Sequence, residues 1–132
     1  MLFRSWRTRE ECPKNLRQAR ERGQPAHLEV DAAYRPGLAG LEGYSHIVVL
    51  SWLHGSRRDL IVLAPSHLEA PRGVFALRSP VRPNPIAVDV VRLVALDVAA
   101  GRIDIDAIDL IDGTPLLDLK PYLPGVDAVA PV

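Results

Sequence analysis

Apolar and polar residues follow one another along most of this chain with a period near two, and little of it carries the three-to-four spacing of a helix. Residues 44–53, YSHIVVLSWL, are nearly continuous in apolar and β-branched side chains, the pattern of a buried central strand. Shorter strands are expected at 27–30, at 60–63 and from Val74 to Leu77, where Val74 and Ala76 alternate with Phe75 and Leu77. In the long β-rich segment 86–98, Val88, Val90, Leu93 and Val94 alternate imperfectly, which predicts a bulge or bend. Gly101 turns the chain into 102–110, where Ile103 and Ile105 alternate with Asp104 and Asp106, so one face is wet. Leu2, Phe3 and Trp6 suit an abbreviated first strand, and 17–22 suits one or two helical turns ended by Gly23 and Pro25. About six strands at spacings of ~8–14 residues predict a mainly β fold: a single-sheeted antiparallel β-barrel with short helical or irregular insertions. The barrel domain is expected over 1–124, followed by a tail at 125–132.

One stretch breaks this grammar. In GVFALRSPVRPNPIA (73–87), Pro80, Pro83 and Pro85 fix φ, remove backbone donors and push Ser79, Arg82 and Asn84 toward extended conformations. The expected result is a stiff loop presenting Arg78, Ser79, Arg82 and Asn84. Guanidinium pairs with carboxylate or phosphate, and an amide both donates and accepts, so the loop reads as a binding element. The plainer alternative is a proline-rich connector with solvated arginines.

Composition narrows the class. A chain of 132 residues with 48% hydrophobic side chains and no net charge is long enough for one core, and is neither a disordered chain nor a uniformly basic nucleic-acid coat. The neutrality conceals an asymmetry: residues 1–92 hold fourteen basic and nine acidic side chains, and 93–132 hold two and seven. Cys12 stands alone and forms no internal disulfide. Neither a targeting segment nor an apolar run of membrane-spanning length is present, so a cytoplasmic protein is expected.

Familiar nucleotide signals are missing, since no glycine-rich dinucleotide turn and no phosphate-binding loop of the Walker type occurs. The histidines at 27, 46, 54 and 67 lack zinc-site spacing, and no metal is expected. His46 and His54, eight residues apart, share a face if the strand alternates regularly, and His54 stands at its end, where sites gather. In Asp112-Gly113-Thr114-Pro115 the glycine suits positive φ, the threonine supplies a hydroxyl and the proline fixes the exit, a pattern equally suited to a plain hairpin. Asp109 interrupts an apolar run, and such a carboxylate either faces solvent or binds something cationic.

The motifs GVFALRSPVRPNPIA (73–87) and IDLIDGTPLLDLKPYLP (108–124), preceded by GLEGYSHIVVLSWLH (40–54) and CPKN (12–15), resemble in content and order the TrmO family, also called YaeB-like. The resemblance covers nearly the whole chain. It implies an S-adenosyl-L-methionine-dependent methyltransferase with a single-sheeted barrel, acting on the exocyclic nitrogen of threonylcarbamoyl-adenosine beside the tRNA anticodon. It also implies a homodimer with the cofactor pocket near the interface. Carried onto this chain, the cofactor-binding positions are Pro13, Lys14, Asn15, His54, Arg78, Ser79, Ile86, Ala87, and the turn of Leu110, Ile111, Asp112, Gly113 and Thr114. Asp109 and Asp112 are the candidate general bases for a nucleophilic nitrogen. The arginines Arg4, Arg7, Arg9, Arg17, Arg20 and Arg22 form a candidate phosphate-facing patch, with Arg82, Asn84, Lys120 and Tyr122 as further tRNA contacts. Two readings of other classes stand beside it: a methyltransferase of this fold on another acceptor, and a non-catalytic module that binds the methyl donor.

Overall fold

The computed structural model describes residues 1–4 and 12–131. Its strands are β1 (Leu2–Arg4), β2 (Ala26–Glu29), β3 (His46–Trp52), β4 (Val62–Leu63), β5 (Arg72–Gly73), β6 (Ile86–Asp97), β7 (Arg102–Ile105) and β8 (Leu116–Pro121). Two short helices, α1 (Leu16–Arg22) and α2 (Pro124–Asp127), complete it together with 3-10 turns at Ala32–Leu38, Leu41–Gly43 and Val74–Ala76. Six strands form one antiparallel sheet in the order β1-β2-β7-β6-β3-β8, while β4 and β5 pair as a separate ribbon.

Among the described residues the expected closed barrel is not found. β1 and β8 stand at opposite edges of the sheet, and the bond from the Leu116 N–H to the Met1 carbonyl, 2.9 Å, reaches between them without forming a ladder. Among the described residues one side of β1 is spent on β2, and this single bond to Leu116 does not supply the alternating donors and acceptors of a ladder.

β3 is central as its apolar run predicts, flanked by β6 and β8, with Ile47, Val49 and Ser51 inward and fully buried. Inward residues of β2 and β7 (Leu28, Ile103, Ile105) meet them, and Val30, Ile108 and Leu110 join the same cluster from beyond the strand ends. β7 stops at Ile105, but its pattern persists because the Asp106 carboxylate accepts the Arg92 N–H at 2.8 Å in place of a ladder carbonyl. The predicted irregularity in β6 is a register shift between Leu93 and Ala95, which leaves Val94 unmatched. β6 turns a different set of residues inward from the one its valines suggest. Ala87, Asp89, Val91 and Leu93 lie on the core side, whereas Val88 is exposed.

Four further expectations are corrected. Val74 to Leu77 is not a strand: the Val74 N–H closes on the Ile61 carbonyl, and the Leu77 N–H turns back to the Val74 carbonyl, coiling the segment into a 3-10 turn that buries Val74 and leaves Phe75 84% exposed. The strand expected at 60–63 keeps only Val62–Leu63, because its partner β5 is two residues long. The expected loop at 31–41 coils into 3-10 turns, and the tail begins with the single turn of α2.

Gly101 takes φ +66°, and its carbonyl accepts the Val30 N–H at 2.7 Å. A Cβ there would sit 2.4 Å from both the Val30 carbonyl oxygen and Arg35 Nε, so the position demands glycine on two grounds.

Candidate functional site

α1 starts and stops for local reasons. Asn15 is its N-cap and accepts the Gln18 N–H at 2.8 Å, while the Gln18 amide oxygen takes the Lys14 N–H at 2.8 Å, a reciprocal arrangement that satisfies donors at the helix start. Gly23, at φ +62°, ends the helix by donating to the Ala19 and Arg20 carbonyls. Ala19 is buried, and Arg20 Nη2 donates to the Val90 carbonyl at 2.7 Å, which ties the helix to β6.

The proline-rich loop between the Val74–Ala76 turn and β6 is as rigid as its sequence implies, for reasons beyond its prolines. Arg82 Nη1 donates to the Leu77 and Ser79 carbonyls at 3.0 and 3.1 Å, and Ser79 Oγ accepts the Val81 N–H. From outside, Arg58 lies 5.2 Å above the Trp52 ring, donates from Nε to the Pro83 carbonyl at 2.8 Å and reaches Asn84 Oδ1 at 3.5 Å. The Arg58→Ala protein is therefore expected to lose about 1 kcal/mol of stability. Thermal unfolding and faster amide exchange at Val81 and Ile86 check this, and unchanged exchange there refutes the bracing role.

α1, this loop, the far end of β3 and the segment after β7 converge on one cleft of about 950 Å³. Of the residues assigned to cofactor binding, Pro13, Lys14 and Asn15 line it beside α1, and His54 lines it beyond β3. Arg78, Ser79, Ile86 and Ala87 form a second wall, and Leu110 and Ile111 a third. Asp109 lines it too, and its carbonyl lies 3.4 Å from the Cys12 sulfur. The bend at Arg78–Pro80 and the chain ahead of the Asp-Gly-Thr-Pro turn therefore share one cavity. Apolar Leu53 and Val88 line it as well.

The turn itself does not line the cleft. Asp112 is exposed beyond it, Gly113 takes φ +83°, and the buried Thr114 gives its hydroxyl and its N–H to the Ile111 carbonyl. Those bonds close a turn, so Asp112, Gly113 and Thr114 build the scaffold of Leu110 and Ile111. His46 and His54 do not share a face, because β3 ends at Trp52 and regular alternation stops before His54.

The residues assigned to nucleic acid separate as well. Arg17 and Arg20 line the cleft, Arg17 being highly exposed and 3.7 Å from Glu21. Arg82 also lines it, but its guanidinium is committed to the loop backbone, and Asn84 is held by Arg58. Lys120 and Tyr122 lie at the opposite end of β3, Lys120 paired in register with Val48 and 3.6 Å from Asp118, and Tyr122 edge-on to His46 at 6.3 Å. About 20 Å of strand separates that end from His54. Arg7 and Arg9 lie outside the described residues, as does the side chain of Arg4.

Asp89 is the residue that the pattern along the chain did not single out. It occupies an inward position of β6, is only 5% exposed, and lines the cleft beside Asp109. Its Oδ2 has no hydrogen-bond partner among the described residues. Burial pushes its carboxyl up to about 8, the neighbouring Asp109 carboxylate adds to the rise, and Arg78 and Arg20 oppose it. The signal was present in Val88-Asp89-Val90, an acid within a β-branched run. Arg78 hydrogen-bonds nothing among the described residues, which leaves its guanidinium available to a ligand. A guanidinium, two carboxyls and apolar walls around a cleft of this size suit a ligand that carries both charges and an apolar body.

Known proteins resemble this chain. Residues 2–128 match the family described as tRNA-methyltransferase O N-terminal domain. The chain is 39% identical over 127 residues to a probable S-adenosyl-L-methionine-binding protein, VirR, of Rhizobium radiobacter, covering 96% of this chain and 70% of that one. It is 42% identical over 90 residues to a tRNA (adenine(37)-N6)-methyltransferase of Eikenella corrodens, covering 64% of this chain and 51% of that protein. The crystal structure of TrmO from P. aeruginosa superposes with a TM-score of 0.72 at 35% identity, covering 99% of this chain and 55% of the other. The chain thus spans about half the length of the last two. With nearly every residue inside one family match and the fold shared with a solved member, this chain belongs to the tRNA-methyltransferase O N-terminal domain family.

Proposed function

We propose that the cleft binds S-adenosyl-L-methionine and that the chain transfers its methyl group to the exocyclic nitrogen of threonylcarbamoyl-adenosine beside the tRNA anticodon. The observation that carries this reading is the convergence of Arg78 and Ser79 with Asp109, Leu110 and Ile111 on one cleft. The Arg78 guanidinium, which makes no hydrogen bond among the described residues, suits the carboxylate of the methionine moiety, and the carboxyls of Asp89 and Asp109 suit its positive centre. Leu53, Ile86 and Leu110 offer apolar contact to the nucleoside. When bound, the cofactor supplies an electrophilic methyl group on a sulfonium. The protein's part is to hold donor and acceptor in line and exclude water. Asp109, at the cleft, is the candidate to take a proton from the nucleophilic nitrogen. Asp112, outside it, is not placed to do so without help from another chain.

For tRNA the cations at the cleft rim are Lys14 and Arg17, with the amino-terminal arginines as further candidates. Binding to tRNA is expected to weaken as salt rises, with a log-log slope of roughly 0.7–0.9 per phosphate contact. A filter-binding titration at several salt concentrations measures it, and a flat dependence refutes a phosphate-facing patch. A homodimer completes the reading. Its interface is read as lying near the cofactor pocket, the exposed Ile61, Val62 of β4 and the 84%-exposed Phe75 are candidate contacts for it, and a cytoplasmic location belongs to the same proposal. Among the described residues no helix is long and apolar enough to cross a membrane.

Incubation with labelled methyl donor and bulk tRNA tests the function. Label in a modified adenosine, lost when the tRNA lacks threonylcarbamoylation, supports it. Transfer only to another acceptor supports a different substrate, and tight binding without turnover supports a binding module, the reading that the name of the Rhizobium relative favours.

A further inference from the structure

We propose that Asp89, backed by Asp109, is the residue that recognises the positive charge of the methyl donor, giving its proton to solvent as the sulfonium enters and so distinguishing the charged donor from the neutral thioether left after transfer. This rests on the reading of the cleft as a methyl-donor site.

The geometry leads to it. An aspartate on the inward face of a central sheet, 5% exposed and with one oxygen unpartnered, normally carries a large desolvation cost. Its register partner on the neighbouring β3 is Val49, which offers no polar side chain. From the other elements around the cleft, Asp109 repels the ionised form, while Arg78 and Arg20 favour it. Lys14, Arg17, His54 and Arg82 also line the cleft, and Arg82 is committed to the loop backbone. The two arginines do not offset burial and Asp109, since the carboxyl titrates at about 8 and is mostly protonated at neutral pH. A fixed positive charge brought against that carboxyl supplies what it lacks. The neutral acid ionises, one proton leaves to water, and a buried ion pair forms with the ligand. The thioether product, identical apart from the lost methyl and charge, offers no such gain.

Reciprocity between proton and ligand makes this measurable. Calorimetric titrations of the wild-type protein with S-adenosyl-L-methionine and with S-adenosyl-L-homocysteine, at pH 7 in two buffers of different ionisation enthalpy, count the protons released. Close to one more proton is expected for the sulfonium than for the thioether. The preference for the sulfonium is expected to rise with pH below 8 more slowly in Asp89→Asn, which should lower it about tenfold at pH 7.5. Equal proton counts for the two ligands, or an unchanged preference in Asp89→Asn, overturns the proposal. The wild-type comparison needs no substitution and decides the matter even where the variant does not fold. Binding of neither compound overturns the methyl-donor reading and this proposal with it, whereas binding of both with identical counts overturns this proposal alone.

Discussion

Asp89→Asn is expected to unfold at a higher temperature than the wild type at pH 9 and at nearly the same temperature at pH 4. The sign follows from the raised carboxyl. In the unfolded chain Asp89 titrates near 3.8, and in the fold it titrates at about 8, so the folded state holds the proton more tightly. The favourable contribution of the neutral acid is fully present below 3.8 and is lost as pH rises through 8. A rise from 3.8 to about 8 corresponds to a stability difference on the order of 5 kcal/mol between the two ends of that window. Asparagine keeps the shape, stays neutral and can donate to the Asp109 carboxylate, so the alkaline loss disappears. For a chain of this size each kcal/mol corresponds to roughly 3–5 °C in Tm. Thermal melts of both proteins across pH 4 to 9 measure the divergence, and parallel curves show that Asp89 is not the buried, raised acid described.

Arg78→Ala is expected to weaken S-adenosyl-L-methionine binding tenfold or more. Charge-assisted hydrogen bonds contribute about 1.5–3 kcal/mol, and a bidentate guanidinium on a carboxylate belongs at the upper end. Arg78 makes no hydrogen bond among the described residues, so its removal leaves no protein acceptor orphaned, and the loss falls on the ligand. It also takes away a charge that favours ionised Asp89, which adds to the loss for a cationic donor. Arg82→Ala contrasts with it. Arg82 binds the Leu77 and Ser79 carbonyls, so its removal is expected to appear in loop exchange and Tm as well as in affinity. Unchanged calorimetric affinity in Arg78→Ala removes this residue from the site.

Much of the site was legible in the chain because it is built from local rules. Prolines at 80, 83 and 85 restrict the backbone whatever surrounds them, and the positive φ of Gly113 suits the sharp turn that presents Leu110 and Ile111. Asp109 was visible as a carboxylate inside an apolar run. Asp112 and Thr114 do not line the cleft: a turn's residues and the residues it positions are adjacent in sequence, and the hydrogen bonds of Thr114 to the Ile111 carbonyl separate the two. Lys120 and Tyr122 were grouped with the site by proximity along the chain, yet a β-strand carries residues away from a corner at about 3.3 Å each.

What the sequence determined by itself was the mainly β class of fold, the interior place of residues 46–52, the end of α1 at Gly23 and the stiffness of the loop before β6. Each depends on φ restriction, capping or two-residue alternation, which act within a few residues. Tertiary structure alone decided that, among the described residues, no ladder joins β1 to β8 and Arg78 makes no hydrogen bond where Arg82 is committed to the loop backbone, and that β6 turns Asp89 inward. Those outcomes depend on register and on partners 26 to 115 residues away, as between Arg58 and Asn84 or Met1 and Leu116. Alternation along one strand specifies two faces without specifying which of them meets the core.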